Sequence, residues 1–245
     1  MLAAGDPQAP PLLSLHGLNV GAPRHTELFL PLTERYRVYV PDTPGQIGQS
    51  APAAPRWASG DYGAWVLDIL DGLGLGKVHA LGMSFGAAVL LQAASHDPAR
   101  MQRAALIVPA GITPVNAPGA ALRLVLPAML YRLLRWQPLL RAQANALATE
   151  STPDVLELLD LVAATMRPIA TVPPAFHPRA LRDFRAPVML AVARHDIFFP
   201  LANMLRRAPQ ILPGLVELRV MAQRHIPSQH EQVRINEQVL RFFNA

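Results

Sequence analysis

The chain has 245 residues, 51% of them hydrophobic, and no cysteine; this allows one full α/β core with an insertion and excludes disulfides, thiolate metal sites and cysteine nucleophiles. Its formal charge of +5 comes from 22 basic residues, of which only Lys77 is lysine, and the arginines are scattered without interleaved aromatics, so no nucleic-acid partner is expected. The start, Met-Leu-Ala-Ala-Gly-Asp-Pro, lacks the pattern of a signal peptide, and no run approaches the roughly 18 uninterrupted apolar residues of a membrane span, so a cytoplasmic protein without a membrane partner is expected.

In chain order, Pro11 to Leu15 reads as a short buried strand running into His16-Gly17-Leu18-Asn19. Arg24 to Arg35 has a helical look despite Pro31, and Tyr36 to Val40 alternates as a strand does. Pro41 to Ser50 is turn-rich loop. Asp61 to Leu73 carries Trp65, Ile69, Leu70 and Leu73 at helical spacing, with Asp61 as the expected N-cap. Val78 to Leu81 and Ala104 to Val108 read as strands, with a helix over Phe85 to His96 between them. Val188 to Ala193 and Leu215 to Val220 are two further strands, and Glu231 to Phe243 is a closing helix. Short apolar strands alternating with helices predict a mostly parallel sheet covered on both faces. From Thr113 to Ala180 the pattern is helical without a strand, and prolines punctuate it at 114, 118, 127, 138, 153, 168, 173, 174 and 178. The expected organisation is therefore a core over 1–112 and 181–245 with a helical lid inserted over 113–180. Leucines 122, 126, 130, 133 and 134 are expected to pack this lid down or to face a pocket.

The segment Gly82-Met83-Ser84-Phe85-Gly86 lies where a strand meets a helix. A serine hydroxyl becomes a useful nucleophile only on an exposed sharp turn with a base beside it. Small residues two positions either side let strand and helix approach closely. Acyl transfer then needs a base, a group to orient the base, and oxyanion donors. Asp196 follows the strand Val188 to Ala193, at the sheet edge where open α/β folds bind ligands. No carboxylate follows the strand ending at Val108. His225 lies after the last strand, giving the order Ser84, Asp196, His225. His230 falls on the closing helix, His195 stands beside the acid, and His79 and His96 are read as structural. The oxyanion donors are expected to be the backbone N–H groups of Phe85 and Leu18, with Gly17 permitting the turn and His16 bracing the loop. Asn19 and Met83 are candidate substrate contacts. No metal or organic cofactor is called for.

These residues together resemble the α/β-hydrolase fold, in the esterase-like subset of serine hydrolases with a helical lid. The carriers are His16-Gly17, the loop Asp42-x-Pro44-Gly45-x-x-Gly48-x-Ser50, Gly82-x-Ser84-x-Gly86, Asp196 with Pro200, and His225. The tail from His225 to Phe243 is similar to that of bacterial carboxylesterases. The resemblance implies that the Asp42 to Ser50 loop is structural. It also implies two further strands before Pro11, for which about ten residues are too few. A sheet of about six parallel strands is then expected, with Arg37 to Val40 as an unpaired edge open to pairing with a second copy in a homodimer.

The expected activity is hydrolysis of small to medium, largely apolar carboxylic esters through an acyl-enzyme. A cofactor-free perhydrolase or haloperoxidase, a carbon–carbon bond hydrolase, and a non-catalytic receptor with this fold remain alternatives. Dehalogenases and epoxide hydrolases need a carboxylate where Ser84 stands.

Overall fold

The structure, a computed structural model, describes residues 1–165 and 172–245. Among the described residues one sheet runs in the order β1 (Leu2–Ala4), β3 (Arg37–Val40), β2 (Pro11–Leu15), β4 (Val78–Met83), β5 (Met101–Ile107), β6 (Val188–Ala193), β7 (Leu215–Met221). Every neighbouring pair is parallel except β1 with β3. The alternation of side chains along each strand divides the core in two. Leu13, Leu15, Val78, Ala80, Leu106, Leu190 and Val192 face one cluster, completed by α2 (Asp61–Gly72), α3 (Phe85–His96) and α8 (Leu201–Ile211). Leu12, Leu81, Ile107, Met189 and Ala191 face the other, beneath α1 (Gly21–Leu28) and α9 (Gln229–Asn244). In α9 the residues Ile235, Val239, Phe242 and Phe243 recur on one side and are buried. Each large apolar side chain so buried contributes roughly 1.5–3 kcal/mol relative to exposure.

The expectation that Arg37–Val40 is an unpaired edge is corrected. Leu2–Ala4 pairs antiparallel with it, Leu2 opposite Val40 and Ala4 opposite Val38, and makes a seventh strand. Three residues suffice because Gly5 (φ 92) turns the chain hard against the Tyr36 carbonyl, leaving no room for a Cβ. The ladder groups of β3 on that side are thus satisfied within the chain, which removes the edge on which pairing with a second copy was premised.

Two further expectations change. The helix foreseen over Arg24 to Arg35 is α1 followed by a separate 3₁₀ turn over Leu30–Glu34, with Pro31 at its start. The N-cap of α2 is Gly60 (φ 78), and Asp61 instead accepts hydrogen bonds from the Arg56 backbone and guanidinium N–H groups. Gly60 and Gly63 both lie against the ring of His96, which is exposed and braces the start of α2 at the surface, whereas His79 packs between Tyr36 and Phe243 in the core.

Between β5 and β6 lie α4 (Ala117–Ala120), α5 (Leu126–Leu134), α6 (Gln137–Leu147) and α7 (Pro153–Thr165), with a π turn over Ala121–Val125 joining the first two. Pro168 lies outside the described residues. The neck closes where the Phe176 N–H donates to the Gly111 carbonyl at 2.7 Å. The lid's own core is small: Ala144, Ala148 and Val155 are buried, with Leu156, Leu159 and Ile226 against them. The lid leucines do not pack inward. Leu122, Leu126, Leu130, Leu133 and Leu134 are all exposed, Leu133 at 80%. Helical spacing marks a stripe but not its direction, and here Ala120 and Tyr131 are the buried side. By length and composition Ala117–Leu134 could cross a membrane, the one helix among the described residues of which this holds.

Candidate active site

Ser84 sits between β4 and α3 with φ 50 and ψ −113, a backbone conformation that a side chain rarely tolerates. Its surroundings enforce it. The Ser84 N–H donates to the Ile107 carbonyl at 2.9 Å, and the Ser84 carbonyl accepts from Ala110 at 3.0 Å and Ala87 at 3.1 Å. The flanking glycines are steric necessities. A Cβ on Gly86 would stand 2.3 Å from the Leu15 carbonyl oxygen, and one on Gly82 would stand 2.6 Å from the Ala87 Cα.

The three sequence-predicted side chains meet. His225 Nε2 lies 2.9 Å from Ser84 Oγ and its Nδ1 2.8 Å from Asp196 Oδ2. A carboxylate only accepts, so Nδ1 carries the proton and Nε2 is free to accept from the serine hydroxyl. Asp196 Oδ1 accepts from the N–H groups of Phe198 at 2.8 Å and Phe199 at 3.2 Å, which fixes the carboxylate. Both side chains are nearly dry, 8% and 2% exposed for His225 and Asp196. Phe198 stands edge-on to the His225 ring at 4.8 Å. His195 is exposed and bonds neither Ser84 nor Asp196 through its ring, and His230 is carried off on the first turn of α9.

Phe85 is the first residue of α3, so its N–H has no intrahelical partner. Among the described residues the Leu18 N–H also has no acceptor. The loop between β2 and α1 that offers it is tied on both sides of Leu18. The Thr43 N–H donates to His16 Nε2 at 2.9 Å, which places the His16 proton on Nδ1, 2.8 Å from the Gly17 carbonyl. Burial holds His16 below the ordinary imidazole range, so it stays neutral and works as a brace, as expected. Beyond Leu18, the Asn19 N–H donates to Gln46 Oε1 at 3.2 Å. Gln46 is a positioning residue that no local sequence pattern marks, because only the fold brings the Asp42 to Ser50 loop beside Asn19. That loop is structural as implied: Asp42 accepts from the N–H groups of Ala22 at 2.8 Å and Gln49 at 3.1 Å.

Two assignments need revision. Gly17 is not required by the turn, since its φ is not left-handed and a Cβ would meet only ordinary contacts, the nearest at 3.6 Å. Met83 is buried beside Leu81 and Ile107 in the core cluster under α1 and α9, which gives it a packing role rather than a substrate contact. Asn19 differs. It holds φ 62, and its Oδ1 is buried without a partner among the described residues. Beside Asp196 is a cavity of about 280 Å³ lined by Asn116, Gly119, Arg123, His195, Ile197 and Arg224. It is polar and basic, and none of the lid leucines reaches it. No group of three or more acidic, histidine or cysteine side chains suited to a metal occurs among the described residues.

The family model for the alpha/beta hydrolase fold matches residues 10–154, more than half the chain. The chain belongs to this family. Its curated relatives include a Bacillus subtilis (strain 168) protein described as uncharacterized carboxylesterase nap, 26% identical over all of this chain and 83% of that protein. Carboxylesterase YbfK of the same organism is 24% identical over 99% of this chain and 83% of its own length. In fold, naproxen esterase (carboxylesterase NP) from Bacillus subtilis superposes with a TM-score of 0.80 at 24% identity, covering 98% of this chain and 86% of that one. The chain is thus a carboxylesterase-like α/β hydrolase.

Proposed function

We propose that this hydrolase cleaves carboxylic esters through an acyl-enzyme at Ser84. The observation that carries the reading is the continuous relay Asp196–His225–Ser84, with spacings of 2.8 and 2.9 Å, at the carboxyl edge of the sheet. Ser84 Oγ attacks the ester carbonyl carbon while His225 Nε2 takes its proton. The Asp196 carboxylate, accepting from Nδ1–H, stabilises the imidazolium that results. The free N–H groups of Phe85 and Leu18 receive the carbonyl oxygen as it becomes an anion, aided by the positive end of the α3 dipole. The imidazolium gives its proton to the departing alkoxide, and the alcohol leaves. Neutral His225 then takes a proton from a water that attacks the acyl carbon, and as the adduct collapses the imidazolium returns that proton to Ser84 Oγ, releasing the acid and restoring the serine. Every group needed is in the chain.

Carboxylesterase relatives over the full chain support the ester as substrate class. A preference for small to medium, largely apolar groups is part of this reading, and its acyl length is a matter for measurement. Asn19 Oδ1, a buried acceptor in the same loop as Leu18, is the side chain we assign to a donor on the substrate.

Intact-mass measurement after a fluorophosphonate, paired with p-nitrophenyl esters of graded acyl length, tests this. A single adduct on Ser84 with ester turnover is expected. Ser84→Ala should lose the adduct and about 10⁴-fold or more in kcat. Labelling without turnover of any ester would overturn ester hydrolysis while leaving the activated serine.

A further inference from the structure

We propose that the lid segment Leu147–Thr149 is a positioning element for His225, with Thr149 as its side-chain contact, so that the lid aligns the base. The proposal rests on the reading of His225 as the general base. The loop between β7 and α9 is fastened from two directions. On the core side, the His195 N–H donates to the Gln223 carbonyl at 2.9 Å and the Ser228 N–H to Gln223 Oε1 at 3.2 Å. On the lid side, the Arg224 N–H donates to Thr149 Oγ1 at 2.9 Å, the Ile226 N–H to the Leu147 carbonyl at 2.9 Å, and the Thr149 N–H to the Ile226 carbonyl at 3.0 Å. Ala148 and Ile226 thereby form a parallel bridge outside the main sheet. The Ile226 side chain also packs against the lid's only buried cluster among the described residues, with Ala144, Ala148 and Val155.

His225 is therefore flanked on both sides by residues whose N–H groups are held by the lid. A general base works only within hydrogen-bond reach, and a misplacement of about 1 Å can cost on the order of 10²-fold in rate. The core supplies Ser84 and Asp196, but the ring between them depends on α6 staying in register. A displaced lid would leave the nucleophile and acid in place and the base out of line. Ester chemistry would then run only while the lid is docked.

The side-chain tie is the part that can be removed cleanly. Thr149→Val keeps the shape and deletes the acceptor; Thr149→Ser keeps the hydroxyl. Thr149→Pro also deletes the N–H that reaches Ile226. Each is compared with wild type in kcat and KM on a p-nitrophenyl ester, in thermal midpoint, and in the downfield Nδ1 proton resonance of His225. For Thr149→Val, a kcat lower by about fivefold, the worth of one hydrogen bond, is expected with KM and midpoint unchanged. The resonance should broaden or move. Thr149→Ser should restore both, and Thr149→Pro should fall further. Ser151→Ala removes another lid hydroxyl, bonded to Asn145 Oδ1 at 2.6 Å, and should change neither. Wild-type kcat and resonance in Thr149→Val, or equal losses in Ser151→Ala, would overturn the proposal. Should no ester turn over at all, the reading of the reaction fails, and the resonance comparison still decides whether the lid positions His225.

Discussion

The carboxyl edge of the sheet and the inserted lid hold their shapes by different means. Three described non-glycine residues with positive φ follow sheet strands: Asn19 (62°) after β2, Ser84 (50°) after β4 and Val108 (42°) after β5. A β-branched residue such as Val108 gains nothing from that conformation locally, so it persists only because both faces of the sheet are packed and the Val108 N–H is fixed to the Ala191 carbonyl at 2.8 Å. The lid's one described counterpart, Arg135 (51°), is the C-cap of α5, where such a conformation is the usual way to end a helix. The edge thus stores strain at catalytic loops and is over-determined by its surroundings. Among its described residues the lid stores little strain, has a small core, and leaves a run of leucines from Leu122 to Leu134 in water. Rigid geometry comes from the first region and adjustability from the second.

Glycine substitution offers the largest break in that contrast. Gly86→Ala places a methyl group 2.3 Å from a backbone oxygen of β2, and neither strand nor helix can give way. We expect a loss of several kcal/mol, seen as a large fall in the urea midpoint, with ester turnover abolished in whatever folds. In the lid, Gly119→Ala meets only the Asn116 side chain, which can swing aside by giving up its cap on α4 and its bond to the Ile197 carbonyl, and should cost about 1 kcal/mol. Equal losses in the two variants would erase the distinction.

Acid should reach the core before the lid. Burial pushes His25 down to about 3, with the nearby His16 adding to the effect, and burial then Arg103 push His79 down to about 4. Both are held neutral in the fold and can charge in the unfolded chain near 6.5, so the unfolded state binds more protons as pH falls from about 6.5 toward 3. Stability from these groups is complete above that window and declines within it. For His25 the decline is on the order of 1 kcal/mol per pH unit. Urea titrations at neutral pH and at successively lower values should show the core signals moving with pH; a midpoint flat across the window would refute this assignment.

The smallest effect is expected at the most apolar surface. Leu133→Glu, at a site 80% exposed, should alter stability by no more than about 0.5 kcal/mol, whereas Leu190→Ala in the fully buried centre of β6 should cost about 2–5 kcal/mol. A marked loss in Leu133→Glu would mean that this face is covered in solution.

The triad was legible because its three members stand at strand ends, and strand ends can be read from short apolar runs. Gly82 and Gly86 were legible for the same local reason. What escaped the sequence was set by pairing across distance. Leu2–Ala4 is too short for any periodicity and becomes a strand only because β3 presents open ladder groups. Gln46 and Thr149 act through contacts 27 and 75 residues away in sequence, to Asn19 and Arg224. The lid leucines show the limit of helical spacing, which locates a stripe and leaves its orientation to tertiary packing.

The lid also enters the chain at a place of consequence for its own variability. Residues 108–187 separate β5 from β6, which are adjacent in the sheet with Ala104 opposite Val188 and Ile107 opposite Ala191. The entropy of closing such a loop grows only with the logarithm of its length, so doubling the insertion would cost the sheet about 0.6 kcal/mol. Helices can therefore be lengthened, exchanged or trimmed there at little thermodynamic expense, provided the contacts at Gly111 with Phe176 and at Ala148 with Ile226 are kept. Substrate preference in this architecture can drift by remodelling one insertion while the strands beneath it stay as they are.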